Sequence, residues 1–216
     1  VWYDSACDKK ERSAMITRIY FVRHAEPDHG WKDDRTRPLT PEGRADARVV
    51  ADFFSAMDVD AVYCSPYERS LNTVRPTAEH HRLAVTIDER LRERRAGPDS
   101  NNREMFAKRW SDLHFHEPGG ESIHEVQTRN MEAVTGIAGA HQGGTVVVGT
   151  HGTALSSILN YYDPGFGIDD FLRIIDFMPY IIRLDFNGQR LEGAREELYV
   201  DKSRPRKDTG NTKARS

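Results

Sequence analysis

The sequence predicts an α/β protein with a mostly parallel central sheet, and two observations carry that expectation. Short apolar runs, Ile19-Tyr20-Phe21-Val22, Ala61-Val62-Tyr63-Cys64 and Val146-Val147-Val148, are separated by stretches whose apolar residues recur at helical spacing. Uninterrupted runs of this kind suit strands buried on both faces, as in parallel sheets. Each run also leads into basic or imidazole side chains: Arg23-His24, Arg69 early in the next helix, and His151. If the strands are parallel, their carboxyl ends share one edge, where open α/β sheets bind ligands.

Composition sets the bounds. A length of 216 residues suits one domain with an inserted cap. The net charge is −3 and the pI about 6.3, which argues against a nucleic-acid surface. No apolar run approaches the ~20 residues of a membrane span, so no membrane partner is expected. The two cysteines, Cys7 and Cys64, make no disulfide framework and point to a reducing cytoplasm. Residues 1–14 are polar, lack the apolar core of a secretory signal, and read as a leader or remnant before Met15.

After the first strand, Thr40-Pro41-Glu42 announces a helix. Thr40 is its expected N-cap, Pro41 its first residue, and Glu42 complements the dipole. Val49, Val50, Phe53, Phe54 and Met57 give its core face. The strand at 61–64 is followed by a helix through Arg69, Thr73 and Ala78, with a break expected near Arg75 because Pro76 lies inside the pattern. A third strand is expected at 84–87, with Leu91-Arg92-Glu93-Arg94 in the loop beyond it. Residues 97–120 read as a cap, with a helix at 103–113 carrying Met105, Phe106 and Trp110. Ser122 and Glu125 have capping-box spacing and start a long helix. The run 145–150 is the clearest central strand, and a helix follows His151-Gly152. Segments 180–186 and 190–200, joined by Asn187-Gly188, predict a hairpin. Residues 201–216 have almost no apolar side chains and predict a disordered tail.

Two arginines and two histidines converging on one sheet edge describe a dianion site. The planar forks of Arg23 and Arg69 suit phosphate oxygens, and the helix after His151 offers backbone N–H groups near Gly152. A neutral imidazole can attack phosphorus, and a carboxyl group such as Glu93 can protonate the leaving alkoxide. Glu89 and Glu121 are nearby alternatives to Glu93. His114 and His116 lack a further ligand cluster and read as cap-surface histidines rather than a metal site.

At this level of detail the chain resembles the histidine phosphatase superfamily, which includes the cofactor-dependent phosphoglycerate mutases. Arg23-His24-Ala25-Glu26 is similar to its Arg-His-Gly signature, and Leu39-Thr40-Pro41-Glu42-Gly43 to its Leu-Thr-x-x-Gly element. Ser65-Pro66-Tyr67-Glu68-Arg69-Ser70 with Thr73 resembles Ser-Pro-x-x-Arg-Ala-x-x-Thr. Leu91-Arg92-Glu93 resembles its acidic loop, Gly119-Gly120-Glu121-Ser122 a frequent later element, and Thr150-His151-Gly152 its second histidine. The resemblance covers most of residues 16–200 and implies a three-layer α/β/α sandwich. It also implies roles: His24 as the nucleophile that becomes phosphohistidine, Glu93 as general acid and then base, and Arg23, Arg69, His151 and Gly152 around the phosphoryl group. No metal or other cofactor is implied, since the arginines supply the charge a cation otherwise would. Ala25 and Ser70 depart from the pattern, and Ala25 is expected to tighten its turn.

The expected activity is a phosphomonoesterase of the histidine acid phosphatase type, acting on a small phosphate ester. A phosphoglycerate mutase is the alternative enzyme. The family's mutases continue Arg-His-Gly-x-Ser-x-x-Asn, whereas Pro27 and Gly30 stand at those serine and asparagine positions, which favours hydrolysis. A non-catalytic phosphate-binding module is the third alternative, disfavoured because it has no need of both a nucleophile and an acid.

Overall fold

The computed structural model describes residues 15–98 and 101–203. Four strands run parallel: β1 (Ile16–Arg23), β2 (Ala61–Cys64), β3 (Val85–Ile87) and β4 (Thr145–Thr150). The hairpin β5 (Phe177–Asn187) and β6 (Arg190–Asp201) continues the sheet antiparallel, giving the order β3-β2-β4-β1-β5-β6. Gly188, in the connecting turn, has φ +61, a value that favours glycine. In the parallel part Arg23 pairs with Thr150, and Cys64 with Gly149. The carboxyl ends of β1, β4 and β2 therefore lie level on one edge.

Side chains of β1 alternate between two cores. Ile19 and Phe21 pack with residues of α4 (Ile123–Ala140) and α5 (Gly152–Tyr162). Tyr20 and Val22 face the other way, with Val50 and Phe54 of α1 (Pro41–Phe54) and Val74 and Ala78 of α2 (Glu68–His81). The sheet is thus covered on both faces, which explains its unbroken apolar runs. The predicted helix starts are as read: Gly43 N donates to the Thr40 hydroxyl at 2.9 Å, and Ser122 and Glu125 form a reciprocal capping box.

Four details differ from the sequence expectations. Helix α2 runs through Pro76 without a break. The proline costs a hydrogen bond, about 3 kcal/mol in a helix interior. Val74 and Ala78 on either side of it are buried against the sheet and α1, and that packing offsets the loss. The cap helix α3 (Arg103–Ser111) ends two residues early, where Asp112 turns back to accept from His114 N at 2.9 Å. A further helix, α6 (Ile168–Ile174), precedes β5. Finally, residues 201–203 depart from the expected disorder. Asp201 closes β6, and Lys202 Nζ lies 2.7 Å from Asp46 of α1 and 3.0 Å from Glu26. Composition could not reveal those two distant acidic anchors. Residues 204–216 and 1–14 lie outside the described residues.

Candidate active site

The level strand ends open onto a cleft of about 660 Å³ whose wall includes Arg23, His24, Arg69, Glu93 and Gly152. His24 leaves β1 and donates its amide to Thr150 O at 3.1 Å. Its ring Nδ1 is 2.8 Å from Ala25 O. A carbonyl only accepts, so Nδ1 carries the proton and Nε2 keeps its lone pair. Burial, then the charges of Arg69 and Arg23, hold the His24 pKa well below the usual value, so the ring is neutral at pH 7.

Two features fix the loop after His24. Gly43 lies against it so closely that a Cβ there would stand 2.2 Å from Glu26 O, which is why α1 begins Pro-Glu-Gly. Ala25 N donates to the Thr73 hydroxyl at 2.9 Å, and that hydroxyl donates to Arg69 O at 2.7 Å. One helical turn of α2 thereby links the arginine to the loop after His24. Ala25 stands where the family signature has glycine. Its φ is not left-handed, and its side chain packs against Leu39 and Ala47.

Arg23 is 5% exposed and held by a device the sequence reading missed. Its Nη1 donates to Ile174 O and Ile175 O at the C-terminal end of α6, at 2.6 and 2.7 Å, and to Phe177 O at the start of β5, at 2.9 Å. The negative end of a helix dipole suits a guanidinium. Burial lowers the Arg23 pKa to about 10, partly opposed by Glu93, and the group stays charged at neutral pH. Signals for α6 were present: Asp169 and Asp170 in the first turn, Arg173 in the last, and Phe171 and Ile174 on the buried side.

Arg69 is 4% exposed and lies over the Tyr67 ring, 4.9 Å from its centroid. Gly152 lies against Arg23, where a Cβ would stand 3.4 Å from Nε, about ordinary contact distance. His151 departs from its expected place. It is fully buried and does not line the cleft; its ring stands 5.3 Å behind that of His24, with Nε2 2.6 Å from the Ser65 hydroxyl. Its Nδ1 has no partner among the described residues. Burial, then Arg69, depress its pKa far below the usual value.

The three candidate carboxylates separate clearly. Glu93 Oε2 accepts from Thr153 N at 3.1 Å, and Oε1 from Ala154 N at 3.2 Å and Arg94 N at 2.7 Å. Two amides of the first turn of α5 therefore hold Glu93, next to Gly152 on the cleft wall. Glu89 pairs with Arg35 at the surface, away from the cleft wall. Glu121 is engaged by Arg92 and Arg129. Burial raises its pKa, but hydrogen bonds from Arg92 and Arg95 N outweigh this and hold it at about 2.

Beyond the basic corner, Phe106, Phe171, Ile175 and Met178 form an apolar wall. Trp110 packs behind it on Phe171 at 5.6 Å, while Trp31 is 48% exposed. Among the described residues no group of three or more His, Cys, Asp or Glu is placed to hold a metal ion, and His114 stacks on His124 instead.

A sequence profile of the histidine phosphatase superfamily (branch 1) matches residues 19–195, and the chain belongs to this family. A putative phosphoserine phosphatase 2 of Hydrogenobacter thermophilus is 28% identical over 164 residues, covering 67% of this chain and 77% of that protein. A probable phosphoglycerate mutase of Serratia proteamaculans is 30% identical over 161 residues, covering 67% and 74%. In fold the chain is similar to mycobacterial glucosyl-3-phosphoglycerate phosphatase, with a TM-score of 0.70 at 19% identity over 85% of this chain and 98% of that one.

Proposed function

We propose that the protein hydrolyses small phosphate monoesters through a phosphohistidine on His24. The observation that carries this is the neutral His24 ring, with Nδ1 bound to Ala25 O, set beside two buried arginines. Arg23 and Arg69 bind the phosphoryl oxygens and offset their charge. His24 Nε2 attacks phosphorus as the P–O ester bond breaks, and the departing alkoxide takes a proton from the Glu93 carboxyl. Water then attacks the phosphohistidine, giving its proton to the Glu93 carboxylate. The P–N bond breaks, and inorganic phosphate leaves with His24 restored. The buried His151 backs the His24 ring and keeps it from turning away.

A mutase shares the first half of this cycle but must exclude water while the acceptor waits. Here the rim carries His29, Asp34, Asn101 and Asp176, polar groups that favour entry of water. Pro27 and Gly30 add to the preference for hydrolysis. Cys64, a buried free thiol, suits a reducing compartment such as the cytoplasm, and no helix among the described residues is long and apolar enough to cross a membrane.

The test is mass spectrometry of enzyme quenched during turnover without acid, with His24→Ala alongside. A phosphoryl group on His24 and a folded, inactive variant are expected. Phosphate on another residue, or substantial turnover by His24→Ala, overturns the proposal. With 3-phosphoglycerate and a bisphosphoglycerate primer, phosphate release should outrun isomerisation; the reverse would favour the mutase.

A further inference from the structure

The segment that delivers Glu93 follows a short 3-10 turn, Glu89–Leu91, and belongs to no strand or helix. Its carbonyl groups converge on one side chain of a neighbouring helix. Arg129, on α4, donates through Nη1 to Arg90 O and Arg92 O, both at 2.7 Å, and through Nη2 to Glu93 O at 3.1 Å. The same guanidinium reaches Glu121, with Nε 3.3 Å from Oε1 and Nη2 3.3 Å from Oε2. Glu121 also accepts from both Nη atoms of Arg92 at 2.5 Å and from Arg95 N at 2.7 Å. The residues flanking Glu93 are thus tied to a single buried carboxylate, while Arg129 holds the carbonyl of Glu93 itself. Arg129 does not line the cleft.

We propose that Arg129, braced by Glu121, is a positioning residue for proton transfer by Glu93. The inference rests on Glu93 being the acid. The Glu93 carboxyl meets the α5 amides through bonds of 3.1 and 3.2 Å, which alone do not fix its backbone. Three carbonyls gathered by one planar fork do. A lysine cannot replace that fork, because an ammonium is a single point charge that cannot span three spread acceptors while facing Glu121. Misplacing a reacting group by about 1 Å can cost as much as 100-fold.

The experiment compares Arg129→Met and Arg129→Lys with wild type. It reads kcat/KM for glycerol phosphate, whose leaving group needs a proton, and for 4-nitrophenyl phosphate, whose leaving group does not. Orthovanadate affinity reports the arginine corner separately. The expected result is a loss of roughly tenfold or more on glycerol phosphate, less than about threefold on the aryl ester, and unchanged vanadate binding. If Arg129→Met does not fold, Arg129→Lys, which keeps the charge beside Glu121, carries the test. Equal losses on both esters, no loss on either, or loss of fold in both variants overturns the proposal. Glu93→Gln, run in parallel, tells the two failures apart. If it spares the aryl ester and the Arg129 variants do not, only the positioning role falls. If it slows both esters equally, the acid assignment falls and the positioning role with it.

Discussion

The guanidinium of Arg69 is already occupied by Asp34. Its Nη1 lies 2.6 Å from Asp34 O and 3.2 Å from Oδ1, and Nη2 lies 3.5 Å from Oδ2. The Asp34 carboxylate therefore competes with phosphoryl oxygens for part of this guanidinium in the proposed reaction. Arg37, 2.9 Å from the same Oδ1, can keep the displaced carboxylate. The Asp34 side chain is 48% exposed, so the competing pair is weak. Asp34→Asn should lower KM and the vanadate dissociation constant by about two- to fivefold, the worth of an exposed ion pair, with little change in kcat. Weaker vanadate binding in the variant would mean that Asp34 orients Arg69 rather than competing for it.

Glu93→Gln separates acid catalysis from binding. The variant should lose about 100-fold or more in kcat/KM on alkyl phosphates, while an aryl phosphate whose leaving group needs little protonation is affected far less. Uniform slowing across a series of leaving groups would move the acid role to another residue.

The depressed pKa values of His24 and His151 have a visible pH consequence. Burial and the neighbouring arginines hold both rings neutral in mild acid, so His24 keeps the lone pair that its proposed role as nucleophile needs. After correction for substrate ionisation, kcat/KM should show no falling limb near pH 6.5. Stability behaves in the opposite way. An unfolded histidine takes up a proton as pH falls through 6.5 while the folded one does not. Unfolding free energy should therefore drop between pH 7.5 and 5.5 by roughly 1 kcal/mol per histidine. His24→Ala should remove about half of that slope in urea denaturation; an unchanged slope would mean that the ring is not held neutral.

Glu117 joins the cap to the segment after Glu93. It lies 2.8 Å from Arg94 and 3.2 Å from Arg109, and accepts from Gly97 N at 2.9 Å. Burial raises its pKa, but hydrogen bonds from Arg94 and Gly97 N prevail and hold it at about 2. Its contribution is present above pH 4.5 and is lost as pH falls from there toward 2. Glu117→Gln should cost about 3 kcal/mol at pH 7, because the buried Arg94 and Arg109 lose the carboxylate they share. The difference from wild type should shrink by pH 2.5. A constant difference across that range would assign the effect to packing.

The parallel strands, the hairpin and the cleft-lining His24, Arg23, Arg69 and Glu93 were legible because each is encoded within a few neighbouring residues. An apolar run ends at Arg23, and four residues of helix join Arg69 to Thr73. What escaped is encoded across the chain. The carbonyls that grip Arg23 lie at Ile174, Ile175 and Phe177, and no local pattern announces that backbone groups will serve a side chain from β1. The binding of Glu93 by the amides of Thr153 and Ala154 could not be read either, because the carboxylate sits far away in sequence. His151 was expected on the cleft wall, but Tyr67 packs over its ring at 5.2 Å. The unbroken α2 shows the same limit: the cost of Pro76 is local, whereas the packing that offsets it is tertiary.

The aromatic seam between the cap and α6 has a mechanical consequence. Phe106 meets Phe171 at 5.3 Å and Trp110 meets it at 5.6 Å, and α6 ends in the carbonyls that hold Arg23. Helix α3 is therefore geared to the phosphate corner. An outward movement of α3 would strain these ring contacts, and with them the element whose last carbonyls hold Arg23. On the proposed function, the bulk that this seam leaves room for, as much as chemistry, would decide which esters reach His24.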